Sequence, residues 1–258
     1  MIGFAATAAV IATPTALSSN SASPTKIPIG TTGGILISAY GSAWTTDLTL
    51  DRLIRIDPKA AAISGKLRLG ARPYGLAAGA GSVWVSLESN GTVVRIDPRR
   101  NRVVARIREF TDPNGLVYAY HALWVSDLGG GRVLRVNPRT NRITARIKIA
   151  RADWITPGAG ALWVSSERNR VYRLDPRTRK VTATVRVGAN PLASAFVGGE
   201  LWVPNIDSNT LSVVDPVSNA VSRTIPAGNA PLGVLSTPDG VFVSMSNDGA
   251  VWRFDNSG

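Results

Sequence analysis

The sequence predicts an all-β, six-bladed β-propeller, and three observations carry that prediction. An aromatic anchor recurs at Trp44, Trp84, Trp124, Trp163, Trp202 and Phe242, with gaps of 40, 40, 39, 39 and 40 residues. A second series keeps step with it: Asp57-Pro58, Asp97-Pro98, Asn137-Pro138, Asp175-Pro176, Asp215-Pro216 and a decayed Asp255-Asn256. Each unit also holds four short runs of strand-forming residues bounded by Gly, Asn, Asp or Pro. Four strands in about 40 residues is the size of one propeller blade. No stretch carries the 3.6-residue apolar period of a helix.

The four runs are denoted strands a to d. Strand a is built from small residues, as in "PYGLAAGAG" from Pro73, "PLASAFVGG" from Pro191 and "PLGVLSTPDG" from Pro231. Small side chains are expected where strands crowd around a common axis. Strand b holds the anchor, and "VWVS" is short and apolar enough to be covered on both faces. Strands c and d, as in "TVVRID" and "RVVARI", carry Arg at intervals, so one face or end should meet water. Between c and d the Asp-Pro pair predicts a tight turn: Asp accepts a local backbone bond and Pro presets φ.

The sixth unit has strand a near Pro231–Ser236, strand b around Phe242 and strand c at Val251–Asp255, with no strand d. Lys26–Ile29 precedes the first strand a without a blade of its own. It is expected to serve as strand d of blade six, which would close the ring and remove two sheet edges. The propeller domain is therefore expected over residues 25–258.

With these strands placed, residues 187–225 resemble the YVTN-repeat propellers. The pattern of that family is roughly Gly-x-x-Pro, an apolar strand, a Gly turn, an apolar-Val-Thr-Asn segment, Val-Ile-Asp and a turn. Its Val-Thr-Asn is represented here by Trp-Val-Ser-Asp at 124–127 and Trp-Val-Pro-Asn at 202–205. The resemblance extends over about residues 26–255 and implies an architecture more than an activity. The same broad superfamily includes the virginiamycin B lyase group, whose metal-assisted elimination uses histidines and a glutamate near the channel mouth. This chain has one histidine, so a two-histidine site cannot be built from it.

The chain contains no Cys, which excludes disulfides and thiolate metal sites. Met1–Ala12 is apolar, and the next stretch to Pro24 is rich in Ala, Ser, Thr and Pro. Residues 1–24 therefore read as a signal peptide without a basic n-region, with Ala16-Leu17-Ser18 as a cleavage site. A secreted or extracytoplasmic protein is expected, with no membrane span in the mature chain.

The net charge is +12, unevenly spread: residues 52–186 hold 26 Lys and Arg against 9 Asp and Glu. Many of these cations lie in the c–d turns: Lys59, Arg99, Arg100, Arg102, Arg139, Arg142, Arg177, Arg179 and Lys180. Others, such as Arg95, Arg106, Arg135, Arg146 and Arg173, lie on strands c and d. A basic rim is expected, and it could hold an anionic cell-surface polymer. Nucleic acid is not an expected partner, because no aromatic run interleaves with the basic strands.

The a–b and c–d turns share one face of a propeller, and the d–a and b–c loops share the other, at the channel mouth. His121 falls at a position that otherwise holds Gly41, Gly81, Gly160, Gly199 and Asp239, so it reads as a turn residue. At the mouth, Tyr74 and Trp154 could form an aromatic wall with Arg72, Arg151 and Asn114 beside them. Asp47, Glu88, Asp127, Glu167 and Asp207 follow the anchors in the b–c loops. If they converged, they could hold Ca²⁺ or Mg²⁺ through oxygen ligands.

No Gly-x-Ser-x-Gly elbow, phosphate loop or His-Glu-x-x-His helix is present. The chain thus reads as a monomeric binding or interaction module with a small molecule, peptide or protein at the channel mouth. The alternatives are a metal-assisted lyase or hydrolase working there through carboxylates and Arg, and adhesion through the basic rim.

Overall fold

The computed structural model describes residues 26–30 and 33–255. The proposed signal segment lies outside them. The described chain forms six antiparallel sheets in sequence order, arranged as a six-bladed propeller. Blade two shows the pattern, with strands at Pro73–Gly79, Ser82–Leu87, Thr92–Asp97 and Arg102–Ile107 paired in that order. The only helical segments are two 3₁₀ turns, Glu88–Asn90 and Ile206–Ser208, among the described residues. None of the described helices is long and apolar enough to cross a membrane.

Local chemistry explains the turns. In the a–b turn of blade three, Tyr120 and His121 both have positive φ, 50° and 58°. That is the turn geometry whose twist matches a hairpin, and it gives His121 the structural role its repeat position predicts. In the c–d turns, the Asp57 carboxylate accepts the Lys59 and Ala60 N–H groups at 2.8 and 3.2 Å. Asp97, Asp175 and Asp215 do the same in their blades. These bonds favour the charged form and hold all four carboxyls below the usual aspartate range; at Asp215 the Ser218 hydroxyl contributes most.

The anchors explain how blades stack. Trp44, Trp84, Trp124, Trp163 and Trp202 are fully buried. Each takes part in an apolar cluster shared with the following blade; Trp124, for example, packs with Val133 and with Ile155, Leu162 and Val164 of blade four. Four of the indole N–H groups donate to a carbonyl of strand a, at 3.0 to 3.2 Å.

An Arg lies over every one of these five indoles, 5.1–5.9 Å from the ring centroid. Arg55 then donates to the Pro98 carbonyl of the next blade, and Arg95 to Pro138 and Asn141. This corrects the expectation that Arg95, Arg135 and Arg173 belong to the basic rim. Strand register puts each directly opposite its anchor, where it covers the ring. The nine turn cations, from Lys59 to Lys180, are exposed as expected.

The sixth joint differs. The last sheet has three strands, Pro231–Thr237, Gly240–Met245 and Ala250–Phe254, and Lys26–Gly30 carries no strand assignment. The segment expected to supply the fourth strand at Lys26–Ile29 thus forms no ladder. The outer strand keeps Val251 and Trp252 substantially exposed, at 63% and 43%. Phe242, the sixth anchor, is only half-buried. No apolar cluster spans blades six and one among the described residues.

Candidate functional site

The inner strands line a central channel of about 480 Å³. Its wall is mostly small and aliphatic, from Ile35 and Ile37 of blade one round to Val234 and Leu235 of blade six, with Tyr118, Trp154 and Phe196 as its rings. Ala77, Ala78 and Ala195 of strand a are among its small lining residues, while strand-a glycines such as Gly75 and Gly115 admit atoms of the neighbouring blade.

At the mouth, strand a carries a bulge. In blade two Pro73 pairs with Leu87 and Leu76 with Val85, so Tyr74 and Gly75 together face Ser86. Asn114 and Gly115 face Ser126 in blade three, and Asp153 and Trp154 face Ser165 in blade four. A bulge re-aims side chains and frees backbone groups, and here the serine of strand b takes up the freed groups. Ser86 Oγ accepts the Gly75 N–H at 2.7 Å and donates to the Asn114 carbonyl of the next blade at 2.9 Å. Ser126 accepts from Gly115 and donates to the Asp153 carbonyl. Ser165 donates to the Leu192 carbonyl. These stitches place Tyr74, Asn114 and Asp153 on adjacent inner strands at one level.

The expected mouth residue of blade four was Trp154, and the register assigns that position to Asp153 instead. The signal was present in the sequence: Tyr74, Asn114 and Asp153 each precede their anchor by ten residues, and Trp154 by nine. The 39-residue spacing before Trp163 hides the match. Trp154 occupies the slot of Gly75 and Gly115, where a side chain would collide with the neighbouring blade. Its ring lines the channel and packs against the apolar cluster of blades one and two, across the axis. Trp154 thus lines the channel, while Tyr74 holds the preceding bulge position in blade two and is not among the channel-lining residues.

Asp153 and Asn114 are each 7% exposed. Asn114 Oδ1 is buried without a hydrogen-bond partner. The Asp153 carboxyl makes no hydrogen bond or ion pair among the described residues. Its pKa is pushed up to about 7 by burial and then by the Glu167 carboxylate, with Glu88 and Asp112 adding to the field and Arg151 opposing it. Burial and the charges of Asp153 and Glu88 lift Tyr74 to about 12, so its hydroxyl keeps its proton. Asp112 and Glu88 are also raised, chiefly by burial.

The rim repeats across blades two and four. Arg72 pairs with Glu88 at 2.8 Å, and Arg151 Nε donates to Glu167 at 2.6 Å. Asp112 holds the equivalent rim position between them in blade three. Arg72 and Arg151 are thus each already tied to a carboxylate.

The five carboxylates considered for a metal are not brought together. Asp47 accepts from Thr49 and Leu50 N–H and from Arg52; Asp127 accepts from Thr111 and Asp112 N–H and from Arg132. Both are fully buried loop clips with their oxygens occupied. Glu88 and Glu167 face arginines, and Asp207 is exposed in blade five. Among the described residues no group of three or more His, Asp or Glu side chains stands close enough to hold a metal ion, so the donor set does not fit one.

No family model matches the chain. A PE-PGRS family protein of Mycobacterium tuberculosis, PE_PGRS18, is 51% identical over 41 residues, which are 16% of this chain and 9% of that protein. That length is about one blade. Among solved structures, a streptogramin B lyase superposes with a TM-score of 0.71 at 15% identity, covering 86% of this chain and 82% of its own. A functionally unknown protein from Desulfotomaculum acetoxidans gives 0.70 at 15% identity, covering 84% and 79%. The computationally designed Ika8 protein gives 0.70 at 11% identity, covering 86% and 71%. At these identities the likeness is one of fold, and it spans a natural lyase and a designed protein alike.

Proposed function

We propose that the chain is a propeller binding module, of the YVTN type that its Trp-Val-Ser-Asp and Trp-Val-Pro-Asn segments resemble, with its ligand at the channel mouth. The observation that carries this reading is the buried, unpartnered Asn114 Oδ1 and the largely buried Asp153 carboxyl, held at one level on adjacent inner strands next to the channel-lining Trp154. Buried polar groups without partners cost a fold about 1–3 kcal/mol each. Such a cost is characteristic of a site that a bound molecule completes. Trp154 and Tyr74 supply the apolar surfaces that grip a ligand's body.

The reading is tested by a fragment screen followed through the Trp154 indole resonance in ¹H–¹⁵N spectra, assigned by its loss in Trp154→Phe. Mouth ligands are expected to shift that signal ahead of those of the five buried anchors. Binders that leave it unmoved while shifting signals elsewhere would refute the site.

One observation favours a second reading. A carboxyl near pH 7 in a concave site is suited to proton transfer, and a streptogramin B lyase shares the fold. Turnover of a streptogramin B substrate that disappears in Asp153→Asn would replace the binding reading with an enzymatic one.

A further inference from the structure

The mouth has a chemical sign that the fold alone does not give it. Asn114 Oδ1 is a buried acceptor that no donor of the described chain meets, and the Asp153 carboxyl, on a residue only 7% exposed, makes no hydrogen bond or ion pair among the described residues. The charged groups acting on Asp153 are Glu167, Glu88 and Asp112 on one side of the balance and Arg151 on the other, with Arg72 acting on the neighbouring Tyr74, Glu88 and Asp112. Both arginines are committed to Glu167 and Glu88. The local sum is therefore negative within a chain of net charge +12. An anionic guest beside Asp153 would meet more carboxyls than arginines, and Arg72 and Arg151 are already paired. A neutral guest would leave the Asp153 charge buried and unmatched.

Resting on the mouth as the binding site, we propose that its ligand is an organic cation bearing N–H donors, a primary ammonium or guanidinium, attached to an apolar body. The cationic head sits against the Asp153 carboxylate and Asn114 Oδ1. The apolar body lies on Trp154, beside Tyr74, where an aromatic face also attracts a cation. Because the head pairs with the ionised form of Asp153, binding releases the proton that this carboxyl holds below about pH 7. Affinity should therefore fall as the pH is lowered from 8 to 6, while the amine itself stays protonated throughout.

The test uses three probes of one shape and different charge: 2-phenylethylammonium, 2-phenylethanol and 3-phenylpropionate, titrated calorimetrically into the full chain at pH 8. The ammonium is expected to bind most tightly. Asp153→Asn, which preserves shape, should weaken it about tenfold or more, since a hydrogen bond to a charged group is replaced by one to a neutral amide. Wild-type affinity for the ammonium should also drop at pH 6, a readout that needs no variant. If the propionate binds as well as the ammonium, or Asp153→Asn leaves the ammonium unaffected, the cation assignment is wrong. Where such binding is abolished by Trp154→Ala, the mouth survives as the site. If none of the three probes binds, both the cation and the mouth are overturned.

Discussion

Trp124→Ala is expected to lower the stability of the fold by about 3–5 kcal/mol, the range for deleting a large buried aromatic. The ring is fully buried, its Nε1 donates to the Ala119 carbonyl at 3.1 Å, and Arg135 lies over it. It is also shared property: its packing partners lie on both blade three and blade four, so removing it loosens a joint as well as a sheet. The corresponding change at the sixth anchor, Phe242→Ala, should cost less than half as much. That ring is only partly buried, and no apolar cluster joins its blade to blade one among the described residues. Urea unfolding midpoints of the two variants, at unchanged slope, measure the difference. Equal losses would show that the sixth joint is as tight as the others.

Asp153→Asn is expected to act in the opposite direction, stabilising the ligand-free protein at high pH. The carboxyl ordinarily titrates at 3.8 and is lifted to about 7 in the fold. Below pH 3.8 it is neutral in both folded and unfolded chains and costs nothing. Between 3.8 and 7 the unfolded chain releases its proton while the folded one keeps it, so stability drains away as pH rises. Above 7 both are ionised and the full penalty, on the order of 4 kcal/mol at most, is in place. The asparagine variant never ionises, so its advantage over wild type should be greatest at pH 8 and vanish near pH 4. Comparing the two proteins at each pH cancels the turn aspartates, whose lowered values act oppositely. An advantage independent of pH would mean that Asp153 is not held in the environment described.

The architecture was legible because it is written redundantly. Six anchors and six turn pairs each report the same period, and one decayed member, Asp255-Asn256, does not obscure it. The role of His121 was legible for the same reason, by comparison with Gly41 and Gly81. The site was harder to read because it is where the repeats differ. One residue lost before Trp163 shifted blade four by a position, which brought Trp154 forward and left Asp153 unnoticed. The bulge that places both cannot be seen in a single strand; it exists only as a register between two. Nor does a sequence say whether a charge faces water or a ring: Arg95 and Arg99 are four residues apart, and one covers Trp84 while the other is exposed. The fourth strand of blade six was inferred by counting, and Lys26–Gly30 carries no strand assignment.

That uneven sixth joint gives the ring a mechanical direction. Five joints are sealed by an indole and an apolar cluster, so thermal opening has one favoured line along which to begin. Amide protons of strands 231–237 and 250–254 would then exchange by a local route rather than by global unfolding. The same opening would loosen the outer strand, where Val251 and Trp252 are already exposed and its unpaired edge could pair with another chain. The weakest joint of the propeller is in this sense also its site of greatest aggregation risk, set by a few residues at the seam and independent of the ligand at the mouth.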